Sequence, residues 1–254
     1  VISVTLFALA LLCPLAGSGI GIALRERLPE HHLSSESIDV IKLAMSLMAT
    51  LVALILGLLI QSANLYRSTI EIEYREILAS IIHLDEYLRA YGPDASAVRD
   101  RVHSVAIESF RERWPGEDFG PAAPLPYTGK SLYTDVQQQI VALHPADAEQ
   151  RWFQSQALQI TNRLADLRWL VASQQLANAP LLPVFILIFL CSIAIFGGFS
   201  LYARPNPTVF AVIALAALAI AGSTFLIVEL NNPFHGLLHI SSDGALAVAQ
   251  VIGK

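Results

Sequence analysis

Few residues in this chain have both the type and the spacing that chemistry requires. Glu30, His31, His32 and Glu36 put carboxylates and imidazoles close together, as a cation site would need. Adjacent histidines cannot share one helical face, however, and no further ligands stand nearby, so no metal is expected. Gly129, Lys130 and Ser131 look like the end of a phosphate-binding loop. That motif needs glycine where Pro124 stands and a strand ahead of it, where the pattern provides none. There is no H-E-x-x-H arrangement, no paired cysteine and no nucleophile motif. Cys13 and Cys191 both fall inside apolar runs, where a thiol behaves as a small hydrophobe. No enzyme activity and no cofactor are expected.

The more informative polar residues lie inside an apolar stretch. Residues 39–60, DVIKLAMSLMATLVALILGLLI, form an almost unbroken hydrophobic run. At about 1.5 Å per residue it can cross a bilayer core of roughly 30 Å. Lys42, Ser46, Thr50, Ala53, Gly57, Gln61 and Asn64 follow at steps of four, four, three, four, four and three. That spacing places the polar and smallest residues on one stripe of a helix, with leucines over the rest. Such a stripe has two explanations: small side chains let another helix approach closely, or the stripe faces water in a pore. Sequence alone leaves both open.

Composition supports a membrane setting. Hydrophobic residues make up 54% of the 254 residues and charged residues 15%, against roughly a quarter charged in a soluble domain. The net charge of −5 offers no basic field for nucleic acid, which is set aside as a partner.

The elements that must position these residues follow from periodicity. Residues 1–24 form the first apolar run, expected as an uncleaved helix because it lacks a basic start and an A-x-A-like exit. Its Gly17 and Gly21 make a GxxxG pair suited to tight helix packing. A short polar loop follows over 25–38, with Ser34 or Ser35 as a helix cap and Glu36 and Asp39 in the first turn of the next helix. Ile70, Tyr74, Ile77, Ile81, Leu84, Leu88 and Tyr91 continue the second helix as a heptad seam up to Gly92-Pro93. Phe153, Ala157, Ile160, Leu164, Leu167 and Val171 repeat that rhythm ahead of the third apolar run. The two seams are expected to pack as an antiparallel hairpin, or each with its counterpart in another subunit. Between them, helices are expected over 95–114 and 131–143, joined by a connector carrying Pro121, Pro124 and Pro126. Third and fourth spans are placed at 181–202 and 208–229. The tail either lies along the membrane or caps the helices of the insert.

The expected fold is therefore an all-α membrane protein with four transmembrane helices and a long helical cytoplasmic insert between the second and third. That insert comprises a stalk hairpin and two shorter helices. The divisions are 1–62, 63–179, 180–232 and an amphipathic tail, 233–254. Arg25, Arg27, Lys42 and Arg204 near the short turns balance Arg67, Arg75, Arg163 and Arg168 near the stalk, so positive charge does not set the orientation. A large insert without a signal peptide is more often left in the cytoplasm, and both termini would share that side.

Four blocks carry a family resemblance: LPEHHLSSES, ATLVALILGLLIQSA, LDEYLRAYGP and FLIVELNNPFHGLLHIS. In that order they resemble the bacterial bestrophin-like proteins, which are likened to bestrophin anion channels. The resemblance implies a multi-pass protein of the bacterial inner membrane, with copies assembled around an axis, a pentamer by analogy. It implies a pore lined by the second span and passing small inorganic ions, anions in particular. Lys42 would then stand near the mouth, where a ring of ammonium groups favours anions. This chain has aliphatic residues where bestrophins carry an aromatic-rich neck, and Glu36 and Asp39 lie close to Lys42. Glu229 is the acid of the fourth span. A charge costs about 2.5 to 3.5 kcal/mol at the bilayer centre and less at its edge, so the residue needs a partner. Either it is bonded locally at the helix end or it ties the fourth span to the second near Arg67 and moves on opening. The contrasting expectation is a membrane-anchored helical scaffold or sensor whose stalk binds a protein partner.

Overall fold

The computed structural model describes residues 2–27, 35–120, 131–177, 182–202 and 206–252. Glu30, His31, His32, Ser34, Pro121, Pro124, Pro126, Gly129, Lys130 and Arg204 lie outside these residues, as do the side chains of Ser35, Glu36 and Ser131. Among the described residues every regular element is helical: α1 (Ile2–Arg27), α2 (Ser35–Tyr91), α3 (Ser96–Arg113), α4 (Ser131–Val141), α5 (Ala148–Ala177), α6 (Leu182–Tyr202), α7 (Pro207–Leu230) and α8 (Asp243–Val251). α1, α2, α6 and α7 are each long and apolar enough to cross a membrane. No group of His, Cys, Asp and Glu suited to a metal occurs among the described residues.

The helix ends follow from local chemistry. α2 contains no proline, and it stops where Gly92 takes φ +113° and Pro93 follows. A left-handed backbone favours glycine, and proline cannot continue the helix. Asn206 caps α7 by accepting from the Val209 amide at 2.8 Å, with Pro207 at the first helical position, where its missing N–H is harmless.

The chain divides into two compact units. The first comprises Val1–Arg67 and Asn178–Leu238. Here α1 packs on α6 and α7, with Phe7 edge-on to Phe225 at 6.1 Å. Val52 and Leu56 of α2 join Phe185, Ile188 and Ile195 of α6 and Ile227 and Val228 of α7 in one buried cluster.

The second unit comprises Ser68–Ala177 and His239–Lys254. All seven seam residues of α2 are buried, and Ala157, Leu164, Leu167 and Val171 of α5 are buried too. Pairing runs in opposite directions along the two helices. Glu76 accepts from Arg163 Nε at 2.6 Å, Tyr87 meets Trp152 edge-on at 5.8 Å, and the Tyr91 carbonyl accepts from Gln150 at 3.0 Å. As the α2 number rises, the α5 number falls, so the two helices run antiparallel. Arg99 of α3 holds Asp85 of α2 through two hydrogen bonds, 3.0 and 3.1 Å. Arg101 bonds Asp135 of α4 at 2.7 Å.

The tail beyond Leu238 belongs to this second unit. α8 buries Ala245 and Val248, and the Trp114 indole donates to the Ile240 carbonyl at 2.9 Å. Trp114→Phe is expected to remove that bond at a cost of about 1 kcal/mol. Hydrogen exchange should then quicken across the α8 amides while the α5 amides keep their protection.

Candidate functional site

Among the described residues, the stripe on α2 is exposed. Lys42, Ser46, Thr50, Ala53, Gly57, Gln61 and Asn64 are all exposed. At 3.6 residues per turn they stand roughly a quarter of a turn from the face carrying Val52 and Leu56. Opposite that buried face, Leu43, Leu47, Leu51, Leu54 and Leu58 are exposed as well. A Cβ added at Gly57 would meet no atom within 4 Å. Among the described residues, then, no helix uses the smallness of Gly57 to come close. Ser46 Oγ donates to the Lys42 carbonyl at 2.8 Å and Thr50 Oγ1 to the Ser46 carbonyl at 2.9 Å. With their protons turned into the helix, these hydroxyls offer lone pairs outward, and positive charge on this stretch comes from Lys42 alone.

The other small-residue pair has a partner. A Cβ on Gly17 would lie 2.5 Å from the Ile193 carbonyl oxygen, and one on Gly21 closer still to the Gly197 carbonyl oxygen. Both glycines thus press against the α6 backbone. Gly198 of α6 in turn sits under Met45 of α2, whose Sδ would be 2.7 Å from an added Cβ. Gly197 and Gly198 escaped the sequence reading, although two adjacent glycines in an apolar run are a signal for close approach.

Glu229 is buried at the end of α7, with 4% exposed. Its Oε2 accepts from the Leu237 amide at 2.7 Å. Gly236, at φ +99°, precedes that amide, and an added Cβ there would run into the Glu229 carboxylate. The position therefore suits glycine twice over, by backbone angle and by space. Asn231 and Asn232 bond back to the Ile227 and Val228 carbonyls, each at 2.8 Å. One residue further on, Arg67 Nε of α2 donates to the Leu238 carbonyl at 3.2 Å. Glu229 and Arg67 bond consecutive residues of one loop, Leu237 and Leu238. Glu229→Ala should strand the Leu237 amide and cost about 1 to 3 kcal/mol. Glu229→Gln, which keeps an acceptor, should lose less, and thermal melts of both variants in detergent would show that order.

Apolar helices of spanning length, seated on one another through small residues and continued by a helical unit, define a multi-pass α-helical membrane protein. The family profile described as Bestrophin-like domain matches residues 12–245, and the chain belongs to that family. Comparison with curated proteins and with solved structures finds no significant match.

Proposed function

We propose that this chain is the subunit of a homo-oligomeric bestrophin-like channel of the bacterial inner membrane, passing small inorganic anions along α2. Lys42, Ser46, Thr50, Ala53, Gly57, Gln61 and Asn64 form the pore wall, and the second unit and both termini lie on the cytoplasmic side. One observation carries this proposal. Of the four apolar helices, the one bearing the polar stripe is the least covered: 11% of its most apolar window is buried, against 28%, 28% and 33% for the others. A polar stripe left to lipid is costly, whereas turned toward copies of itself it gains water. The bonds of Glu229 and Arg67 to Leu237 and Leu238 then supply a gating element, because movement of α2 at Arg67 would strain or break its bond to that loop.

The test is chloride flux from liposomes holding the purified protein. Two unit charges about 4 Å apart in water interact by about 1 kcal/mol, so Lys42→Glu, by reversing the sign, should lower anion preference roughly tenfold or more. Absence of flux from oriented protein would overturn the proposal. A second reading, an anchored scaffold whose stalk binds a protein, draws on Trp152 and Trp169, which α5 leaves 51% and 55% exposed. A stoichiometric partner co-purifying with a non-conducting protein would favour it.

A further inference from the structure

We infer that Leu237 and Leu238, on the loop that follows α7, insert into the interfacial layer of the bilayer and anchor the first unit to that lipid surface. Leu237 is 79% exposed and Leu238 40%. Other apolar residues of the same loop are not bare: Pro233 and Phe234 are buried. Two adjacent leucines left open beside a buried phenylalanine make an outward wedge, and its height along α7 decides what covers it.

That height follows from the helix. The 24 residues of α7 rise about 36 Å at 1.5 Å each, more than the roughly 30 Å of a hydrocarbon core. No charged residue precedes Glu229 on this helix, so the edge of the core falls near it. The loop does not run on from there; it doubles back. Glu229 Oε2 accepts from the Leu237 amide, and Leu237 lines one hollow with Glu229, with Phe225 one turn deeper on α7 and with Val4 of α1. Val4 is itself 67% exposed, so Leu237 continues the apolar surface that α1 and α7 turn toward lipid. This is the depth at which apolar side chains of a surface segment lodge. A loop placed there must also settle its backbone. The Asn231, Asn232 and His235 amides donate to the Ile227, Glu229 and Asn232 carbonyls at 3.2, 3.1 and 3.1 Å. With the Leu237 amide held by Glu229 and the Leu238 carbonyl by Arg67, these bonds take up peptide groups that would otherwise hold the loop in water.

The inference stands on the membrane spans and is independent of whether α2 conducts. Its test is fluorescence quenching in the full chain, with Cys13→Ala and Cys191→Ala as background and bimane attached at Leu237→Cys, in phosphatidylethanolamine and phosphatidylglycerol vesicles. A doped phospholipid carrying its nitroxide near the headgroup is expected to quench this label several-fold more than aqueous iodide does, and more than a nitroxide deep in the acyl chain. Leu238→Cys, read the same way, should follow it. Ala90, exposed near the far end of α2, is the aqueous reference: bimane at Ala90→Cys should answer to iodide and to neither nitroxide. Iodide quenching at Leu237→Cys equal to that at Ala90→Cys would overturn the anchor, and so would quenching strongest from the deep nitroxide. Protection from all three quenchers would overturn it as well, and disulfide formation between copies through Leu237→Cys would then identify a second subunit as the cover.

Discussion

Valine at Gly21 is expected to unseat α1 from α6 and to lower the melting temperature of the purified protein by about 6 to 12 °C. In lipid, helices are held by close contact, because the surroundings are as apolar as the side chains. An added Cβ at Gly21 would stand 3.1 Å from the Gly197 Cα and nearer to its carbonyl, and one at Gly17 would stand 2.8 Å from the Ile193 Cα. These obstacles are backbone, which cannot rotate aside as a side chain would. Overpacking costs about 1 to 3 kcal/mol even where neighbours adjust, and about 3 kcal/mol corresponds to the quoted shift for a chain of this size. Gly19 and Gly222 are the controls: an added Cβ meets nothing within 4 Å at either, so alanine there should leave the melt unchanged. An unaltered melt for Gly21→Val would disprove the contact.

Asp85→Ala is expected to destabilise the second unit by about 3 to 5 kcal/mol, the usual cost of removing one member of a buried pair. The side chains of Arg99 and Asp85 are 18% and 7% exposed. Without the carboxylate the guanidinium stays largely desolvated and loses the two hydrogen bonds that Asp85 accepted, which costs more than the pair contributed. The double replacement Asp85→Leu with Arg99→Met should recover most of the loss, because it leaves no charge behind. Exchange of the α3 amides, followed in the full chain, separates the outcomes: fast in the single variant, slow again in the double one. Equal protection in both would mean that the pair is incidental to the packing.

Particular residues explain how much of this was legible in the sequence. The spans and the α2 seam could be read because bilayer thickness and helical period each impose a pattern along a single segment. Gly92-Pro93 announced the end of α2 because the required backbone angle is written in the residue type. The partners of a segment are a different matter. Gly17 and Gly21 signalled a close approach, yet nothing in their spacing could select Ile193 and Gly197 of α6. Glu229 was recognisable as an acid in need of a donor, but its donor is a backbone amide, and every non-proline residue carries one. Arg67 likewise bonds a carbonyl with no side-chain signature. The sequence placed seven residues on a stripe of α2; that the stripe is exposed among the described residues depends on where α6 and α7 lie, which no local pattern encodes.

The seating of Gly21 on Gly197 also sets a timetable for biogenesis. At about 5 to 20 residues per second, a ribosome needs roughly 10 to 35 s to travel between the codons for those two glycines. Throughout that interval the first span waits in the bilayer without its mate. Quality control therefore meets a long-lived half-built intermediate, whose small-residue groove is open to any passing helix until α6 arrives to claim it.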